Sequence, residues 1–474
     1  MKSLAKNSIY NIIYQFLSLI FPLISSMYVA RIIMEDGVGK VAYAQNIASY
    51  FTAIALLGFP AYGIREIAKT KDNPFKCNRT FFELFSINAM STTFATIAYI
   101  VTILNINDFR KELPLYLCVG ITVWLNYANI DWFYQGKEEY GYITARSLSI
   151  KFISLVALFI FVKQKDDYII YALISSCGTA CNYILNLFHA RKYIRLNFEK
   201  LNIRKHISSL LILGIVTFLG NIYNKVDITM LGIMTNDAVV GYYSNAHKII
   251  LIAVSCCIAV TTVFMPRLSY YYQEDKRALN SLVNSGLKFL IFIIVPATIG
   301  VAMLASEVMV IFYGESFAPA GKTLSLFAPI LLICPIGDLL CYQLLISAGK
   351  EKKRIYTSFW ATVVNISLNA ILIPKWQQNG AVVASIISEI IVNGLLLPDI
   401  LRIVKIDIEL KYIGKVIVAT AIMLAGILGL KRIAVGRLAY VLYASLFGMF
   451  LYFGTSVILK NEILKMICDR IRKK

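Results

Sequence analysis

The stretch that decides the fold is residues 221–248, NIYNKVDITMLGIMTNDAVVGYYSNAHK. It contains the end of one apolar run, a short turn without Lys or Arg, and the start of a second apolar run. Four ionisable side chains lie within these runs: Lys225, Asp227, His247 and Lys248. Because a charge inside a bilayer costs about 2.5 kcal/mol or more, such residues usually face a partner or a hydrated cavity.

The composition of the whole chain indicates a polytopic helical membrane protein. The 474 residues are 58% hydrophobic with a mean hydropathy of +0.68, and the apolar residues are concentrated in runs of about 20, the length of a membrane-spanning helix. The alternating segments typical of an outer-membrane barrel are absent. No small-residue cleavage site follows the first apolar run, so we expect an uncleaved first span.

Fourteen spans can be drawn along the chain, joined by connections of at most about twenty residues, which leaves no room for an inserted soluble domain. The predicted spans are 8–33, 41–63, 80–104, 113–135, 143–162, 167–189, 207–232, 239–263, 283–305, 323–348, 355–373, 380–399, 415–430 and 438–459.

The distribution of Lys and Arg predicts the orientation. With the N-terminus inside, the cytoplasmic segments hold 32 of these residues and the outer segments hold 10. This excess predicts that both termini are cytoplasmic. The net charge of +20 is then explained by membrane topology, so nucleic acid is not expected as a partner.

An internal repeat relates the two halves of the chain. A shift of 202 residues aligns Gly39 with Gly241 and superposes predicted spans 2 and 3 on spans 8 and 9. Because 202 residues cover six spans, an even number, the halves are predicted to be parallel repeats. The predicted domains are an N-terminal lobe (1–206), a C-terminal lobe (207–414), and two further helices with a basic cytoplasmic tail (415–474).

Polar residues at helical spacing predict which spans line a cavity. Spans 7 and 8 each carry a polar face that includes a lysine, and spans 1 and 2 carry corresponding faces in the other repeat. These faces predict a hydrated cavity that suits an anion, although pairing of the lysines with carboxylates on other helices is the alternative. The candidate cavity residues are Arg31, Gln45, Asn46, Asn221, Asn224, Lys225, Asn245 and Lys248.

Other ionisable residues are candidates for ion coupling. Asp338 lies beside Pro335 and Gly337, which predicts a broken helix, and Glu389 lies in the middle of span 12. Asp227 points away from Lys225, and His247 is expected either to pack as an ordinary core residue or to take part in coupling. The candidates are Asp227, His247, Asp338 and Glu389. Glu83 lies near a cytoplasmic helix end, where it is expected to reach water.

Motifs for catalysis are missing from the sequence. It contains no P-loop, no G-x-S-x-G and no H-E-x-x-H, and its histidines and cysteines form no metal-ligand pattern. We therefore expect no catalytic residue, no bound metal and no cofactor. A membrane glycosyltransferase or polymerase is disfavoured, because the outer connections are short and the only exposed acidic cluster is Tyr313–Phe317.

Several stretches resemble one known family, the Wzx-type polysaccharide flippases of the multidrug/oligosaccharidyl-lipid/polysaccharide exporter superfamily. The first two helices (KSLAKNSIYNIIYQFLSLIFPLISSMYVARII, then GKVAYAQNIASYFTAIALLGFPAYGIREIAK) are similar to those of the family. DWFYQGKEEYGYITAR at 131–146 resembles its aromatic-Gln-Gly-x-Glu stretch. VDITMLGIMTNDAVVGYYSNAHKI and MVIFYGESFAPAGKTLSLFAP resemble its helix 7–8 turn and the segment entering helix 10.

This resemblance implies fourteen helices, with two six-helix lobes around a V-shaped central cavity and two appended helices. It implies a bacterial cytoplasmic-membrane flippase that moves undecaprenyl-pyrophosphate-linked oligosaccharides to the outer leaflet for O-antigen, capsule or another surface polysaccharide. The mechanism implied is alternating access, driven by an ion gradient or the membrane potential, and Lys225, Lys248 and Arg31 would face the head group. It leaves the polymerase and chain-length proteins of the same pathway open as partners.

Two other readings stay open at the level of the sequence. The same superfamily contains H⁺- or Na⁺-coupled exporters of cationic drugs, which need carboxylates in the N-terminal lobe. Spans 1 and 2 have none between residues 8 and 31 or between residues 41 and 64, which disfavours a drug exporter. A third possibility is a membrane scaffold that transports nothing. Its only support is the absence of catalytic motifs from the sequence.

Overall fold

The computed structural model describes residues 2–195, 201–431 and 436–466, without the side chains of residues 2–16, 18, 19, 260 and 351. Within these ranges the chain is almost entirely helical and contains no strand. The predicted all-α membrane fold is therefore confirmed. Residues 467–474, most of the predicted basic tail, lie outside the described ranges.

Nine α-helices precede residue 235 in residues 2–195 and 201–234, which the structure describes. They are α1 (Lys2–Leu56), α2 (Phe59–Thr70), α3 (Pro74–Asn105), α4 (Asn107–Lys111), α5 (Leu113–Trp124), α6 (Asp131–Gly136), α7 (Tyr140–Phe161), α8 (Tyr168–Ala190) and α9 (Arg204–Met234).

Eight more α-helices follow in the described part of the chain. They are α10 (Asp237–Thr261), α11 (Met265–Glu274), α12 (Lys276–Tyr313), α13 (Pro319–Gly337), α14 (Leu345–Ser347), α15 (Glu351–Ile403), α16 (Leu410–Leu430) and α17 (Arg437–Ile458).

Eleven helical segments of the described residues are long and apolar enough to cross a membrane. Two of them, Ile20–Thr70 and Lys352–Ile403, each cover two predicted spans. Met34 (φ 59°) interrupts α1 and Gln377 (φ 49°) interrupts α15, and Leu57 (φ 43°) lies between α1 and α2. The fourth predicted span corresponds to the shorter apolar segment Leu113–Ala128. The count of fourteen spans stays a prediction.

The two glycines aligned by the 202-residue repeat pack against each other's helix. A Cβ on Gly39 would lie 1.7 Å from the carbonyl oxygen of Asp237, and a Cβ on Gly241 would lie 2.2 Å from that of Glu35. Asp237 and Glu35 are also 202 residues apart, so the contact is the same from both sides. Small residues allow this close approach of helix backbones in a membrane. Residues that the repeat aligns therefore make equivalent contacts where α1 and α10 cross.

The chain divides into two compact units, Met1–Gly241 and Tyr242–Lys474. The first unit includes α9, which packs along α1. The units therefore separate after α9, whereas the repeat places the lobe boundary before it at residue 206. That boundary and the others drawn from the repeat stay predictions.

Each unit has its own apolar core. In the first unit, one cluster surrounds Tyr99 and a second surrounds the stacked rings of Phe59 and Trp132. In the second unit, α16 and α17 pack on α12, with the Tyr452 hydroxyl donating a hydrogen bond to the Phe292 carbonyl. The two C-terminal helices are thus an integral part of their unit.

Candidate functional site

Lys225 lies within α9, nine residues before the helix ends at Met234. A rise of 1.5 Å per residue puts it about 14 Å from the α9–α10 turn. Since the hydrocarbon core of a bilayer is about 30 Å thick, this residue is near the middle of its span. Its side chain is half-buried.

Asn46 of α1 holds the turn of α9 that carries Lys225. Its Nδ2 donates to the Lys225 carbonyl at 3.2 Å and to Thr229 Oγ1 at 2.7 Å. The Tyr50 hydroxyl shares a 2.7 Å hydrogen bond with the same Thr229 hydroxyl. Asn46 is almost fully buried, and its Oδ1 has no hydrogen-bond partner. The structure therefore brings Asn46 to the backbone of Lys225, and its effect on the lysine side chain stays a prediction.

The other polar residues of this unit occupy different environments. Asn224 is exposed and donates to the Gly220 carbonyl of its own helix, whereas Asn221 has a buried Oδ1 without a hydrogen-bond partner. Asp227 is buried, unlike its half-buried neighbour Lys225, and takes part in an interaction of its own. Gln45 is half-buried and Arg31 is exposed. Their contact with a substrate stays a prediction.

Lys248 has a comparable setting in the second unit. It lies eleven residues after the start of α10 at Asp237, or about 17 Å along the helix. Its Nζ lies 3.4 Å from Asn245 Oδ1, within the same helix turn. Asn245 is fully buried and its Nδ2 has no partner. Lys225 and Lys248 belong to different units, so their meeting in one cavity stays a prediction.

His247 packs within the second unit, as its isolation in the sequence suggested. Its ring lies 5.6 Å from the Tyr243 ring and 5.5 Å from the Phe327 ring, measured between centroids. Glu389 hydrogen-bonds with the thiol of Cys334. The coupling roles of both residues stay predictions.

Asp338 lies at the start of a π-helix, Asp338–Leu344, rather than at a break in the helix. The expected interruption beside Pro335 is wrong in form, because the chain continues through the wider turn. Asp338 contacts Thr261 of α10 and Gln343 within the π-helix. Short π-helical segments are frequently found at functional sites.

A cavity of about 910 Å³ lies in the first unit beside the turn held by Asn46. Its inner walls are mainly aliphatic and aromatic side chains from α1, α5 and α9, including Phe51, Phe218 and Ile222. Charged residues from the α1–α10 crossing and from α4 line its other end, among them Lys40 and Asp237. An apolar wall with a charged rim suits a lipid chain below a polar head group.

Two buried polar networks were not foreseen from the sequence. Glu83 is fully buried rather than exposed to water, and it binds Lys205 at 2.6 Å and His206 at 3.0 Å. Asp131 and Arg146 form a 3.0 Å ion pair. Asp131 and Arg146 are the first and last residues of the stretch 131–146 that resembles the family. This resemblance is the sequence feature that could have indicated their ion pair. For Glu83 the sequence offered only Arg79, four residues earlier on the same helix and 3.2 Å away, because Lys205 and His206 are more than 120 residues away in the chain.

Two family models match the chain. A model described as "Polysaccharide biosynthesis protein" matches residues 4–272, and one described as "Lipid II flippase MurJ" matches residues 143–455. Each match covers more than half of the 474 residues.

Individual relatives are more distant. A putative O-antigen transporter of Escherichia coli K12 is 21% identical over 83% of this chain and 96% of its own length. A probable low-salt glycan biosynthesis flippase of Haloferax volcanii is 24% identical over 49% of this chain and 50% of its own length.

Solved structures share the fold. Lipid II flippase MurJ in an inward closed conformation has a TM-score of 0.78 at 16% identity, covering 96% of this chain and 99% of that one. A multidrug resistance MATE family transporter in an inward-facing conformation has a TM-score of 0.64 at 13% identity, covering 81% and 94%. With the family models and the O-antigen transporter relative, this fold shows that the chain belongs to the polysaccharide biosynthesis protein family, the Wzx-type flippases of the multidrug/oligosaccharidyl-lipid/polysaccharide exporter superfamily.

Proposed function

We propose that this protein moves undecaprenyl-pyrophosphate-linked oligosaccharide units from the inner to the outer leaflet of a bacterial cytoplasmic membrane. The units would serve the synthesis of a surface polysaccharide such as O-antigen or capsule. The protein itself would form or break no covalent bond. Both termini would be cytoplasmic, as the 32 to 10 distribution of Lys and Arg predicts.

The observation that carries this proposal is the placement of Lys225 and Lys248. Each lysine is half-buried near the middle of an apolar helix, at a similar distance from the end of its helix nearer the α9–α10 turn. A charged lysine at the centre of a membrane helix costs about 2.5–3.5 kcal/mol. Binding of a pyrophosphate would offset this cost, because each charge would provide the counter-charge for the other.

The polyprenyl chain needs a separate apolar path while the head group crosses. The 910 Å³ cavity of the first unit is our candidate for part of that path. It adjoins the turn of α9 that carries Lys225, so a chain in the cavity and a phosphate at the lysine would be neighbours. Alternating access would then expose the head group first to one side of the membrane and then to the other.

Transport can be tested in proteoliposomes that contain the purified chain and a fluorescent lipid-linked oligosaccharide. A membrane-impermeant glycosidase outside the vesicles cleaves only the sugars on the outer leaflet. We expect protein-dependent cleavage of the lipid initially confined to the inner leaflet. Vesicles without protein and vesicles loaded with a cationic dye serve as controls.

The two possible cargoes give opposite results in this assay. Translocation of the lipid-linked oligosaccharide without dye transport supports the flippase. Gradient-driven transport of the dye without movement of the lipid would overturn the proposal in favour of a drug exporter.

A further inference from the structure

An ion pair lies at one end of the 910 Å³ cavity in the first unit. Lys40 Nζ of α1 lies 2.5 Å from Glu112 Oε1, and both residues line the cavity. The hydroxyl of Tyr168, the first residue of α8, donates a 2.8 Å hydrogen bond to the other carboxylate oxygen, Glu112 Oε2. The Lys40 ammonium also lies 4.9 Å from the centroid of the Tyr168 ring. Tyr168 therefore contacts both partners of the pair.

The backbone at Lys40 is held by the crossing of α1 and α10. The preceding residue, Gly39, packs so closely on the Asp237 carbonyl that no Cβ would fit. The side chain of Asp237 lines the cavity at the same end. Because this contact does not involve the Lys40 side chain, the ammonium can change its partner without a movement of the helix.

The cavity follows one membrane helix for most of its length. Its lining residues on α9 extend from Phe218 to Ile233, or about 22 Å at a rise of 1.5 Å per residue. The hydrocarbon core of a bilayer is about 30 Å thick. Lys225 lies within this stretch of α9, whereas Lys40 lies at the end near the α9–α10 turn. The cavity therefore extends from the depth of Lys225 to the end of the helix.

The lining changes from apolar to charged along the cavity. The inner part is formed mainly by aliphatic and aromatic side chains, and the charged residues are gathered at the mouth, where they are Lys40, Asp108, Lys111, Glu112 and Asp237. A lipid with one apolar chain and an anionic head group has the same division. A phospholipid has two chains, whereas the cavity offers one continuous space.

The Lys40–Glu112 pair can exchange its partner. The side chains of Lys40 and Glu112 are 30% and 29% exposed. An ion pair as accessible as this one adds little to stability, because water and salt screen it. If Lys40 turned to another anion, Glu112 would keep the hydrogen bond from Tyr168 and would not be left without a donor. The loss of the lysine from this carboxylate is therefore tolerated.

A lipid phosphate is a stronger partner for Lys40 than the carboxylate is. A phosphate monoester carries almost two negative charges at neutral pH, whereas Glu112 carries one. Its oxygen atoms accept short, charge-assisted hydrogen bonds from an ammonium group. A phosphate that arrives at the mouth would therefore compete with Glu112 for Lys40.

We propose that Lys40 binds the phosphate of a polyprenyl lipid at this mouth, taking the phosphate in place of Glu112 while the lipid chain occupies the cavity. Three carboxylates and two lysines line the mouth, so the phosphate is held less tightly there than by lysines alone. Weak binding suits release of the lipid. The use of this position as the exit site of transport rests on the proposed function.

The direct test is binding of radiolabelled undecaprenyl phosphate to the purified full-length chain in detergent. The chain with Lys225→Ala and Lys248→Ala is the background, because it lacks the two lysines near the middle of their helices. We expect saturable binding that unlabelled undecaprenyl phosphate displaces. Undecaprenol, which has no phosphate, should displace it about tenfold less well. Lys40→Gln should weaken binding by about tenfold or more, because it removes a charged hydrogen bond.

Two substitutions at the ion pair separate phosphate binding from general damage. Lys40→Gln and Glu112→Gln both break the pair, so a purely structural role predicts similar losses of affinity. We expect Glu112→Gln instead to strengthen binding by roughly threefold, because the carboxylate no longer competes for the lysine. Lys165→Gln is the matched control, since it removes a lysine that pairs with Asp36 and does not line the cavity.

The outcomes that would overturn the proposal are distinct. They are equal affinity for undecaprenyl phosphate and undecaprenol, undiminished binding by Lys40→Gln, and a Glu112→Gln variant that binds no more tightly than the background chain. If Lys40→Gln does not fold, as judged by its elution profile and thermal midpoint, Glu112→Gln and the comparison with undecaprenol decide. Displacement by phosphatidylglycerol as effective as that by undecaprenyl phosphate would overturn the assignment to a lipid with one chain.

Transport is a separate measurement on Lys40→Gln in the otherwise original chain. Movement of lipid-linked oligosaccharide at the original rate, with phosphate binding at the mouth lost, would refute the exit role alone. Lys40-dependent binding of undecaprenyl phosphate without any movement of oligosaccharide would refute the proposed function instead and leave the binding site intact.

Discussion

The symmetric crossing of α1 and α10 makes a quantitative prediction about two alanine substitutions. In Gly39→Ala the new Cβ would lie 1.7 Å from the Asp237 carbonyl oxygen, and in Gly241→Ala it would lie 2.2 Å from the Glu35 carbonyl oxygen. Ordinary contacts of this kind are 3.4 Å or longer. The helices must therefore separate by more than an ångström in either variant.

The loss of folding stability caused by that separation can be estimated from the two distances. Overpacking of a well-packed contact costs about 1–3 kcal/mol. The shorter contact puts Gly39→Ala near the upper end of this range and Gly241→Ala lower in it. Replacing glycine by alanine within a helix returns up to about 1 kcal/mol. We expect both single variants to be less stable, Gly39→Ala the more so.

The double variant is the decisive one, because a single movement of the helices makes room for both methyl groups. Its destabilisation should be smaller than the sum of the two single effects by about 1 kcal/mol or more, as for residues in direct contact. Thermal unfolding in detergent, followed by tryptophan fluorescence, provides the comparison. Gly220→Ala on α9 is the control, since its Cβ would meet no atom within 4 Å and should not lower the midpoint.

Additive effects of the two substitutions would refute the reasoning, because independent sites add and a shared contact does not. Single variants as stable as the original chain would refute the close approach itself. Either result would show that the two aligned glycines do not form one shared contact between α1 and α10.

Two further predictions concern the first unit. Glu83→Gln should lower the stability by about 1–3 kcal/mol, because the fully buried carboxylate accepts a charged hydrogen bond from Lys205 and one from the backbone N–H of Asn202. An unchanged thermal midpoint would contradict this. Asn46→Leu should cost about 1 kcal/mol and slow oligosaccharide movement, because Lys225 and Thr229 lose the contact that fixes their turn. Transport at the original rate would show that Asn46 does not position the lysine.

Much of the fold follows from local sequence patterns. The apolar runs locate the membrane helices, because a span must satisfy its backbone hydrogen bonds internally and expose apolar side chains to lipid. The 202-residue repeat aligns Gly39 with Gly241 from the sequence alone. Hydropathy does not show how the chain passes from span to span. The sequence predicts loops at 34–40 and 374–379, where Asp36-Gly37 and Asn379-Gly380 are turn signals, whereas the structure interrupts the helices only at Met34 and Gln377.

The details of the polar networks required tertiary information. Pro335 and Gly337 correctly marked a disturbance beside Asp338, but the sequence suggested a break where a π-helix forms. Proline removes one N–H from the helix, and a widened turn accommodates that loss as well as a break does. Helical spacing brings Arg79 to Glu83, but it does not reveal Lys205 and His206, which bury the carboxylate from more than 120 residues away.

The central claim is that Lys225 and Lys248 supply the counter-charge for the pyrophosphate head group. The most direct measurement is the rate of oligosaccharide movement in vesicles for Lys225→Ala, Lys248→Ala and the double variant. The corresponding arginine variants are compared with them, and Lys151→Ala, a change at a half-buried lysine of α7, serves as the control. A charged hydrogen bond contributes about 1.5–3 kcal/mol, so we expect each alanine variant to lose about tenfold or more. The arginine variants and Lys151→Ala should keep most of the rate. A double alanine variant that moves the lipid at the original rate, in an equal amount of inserted protein, would contradict the account.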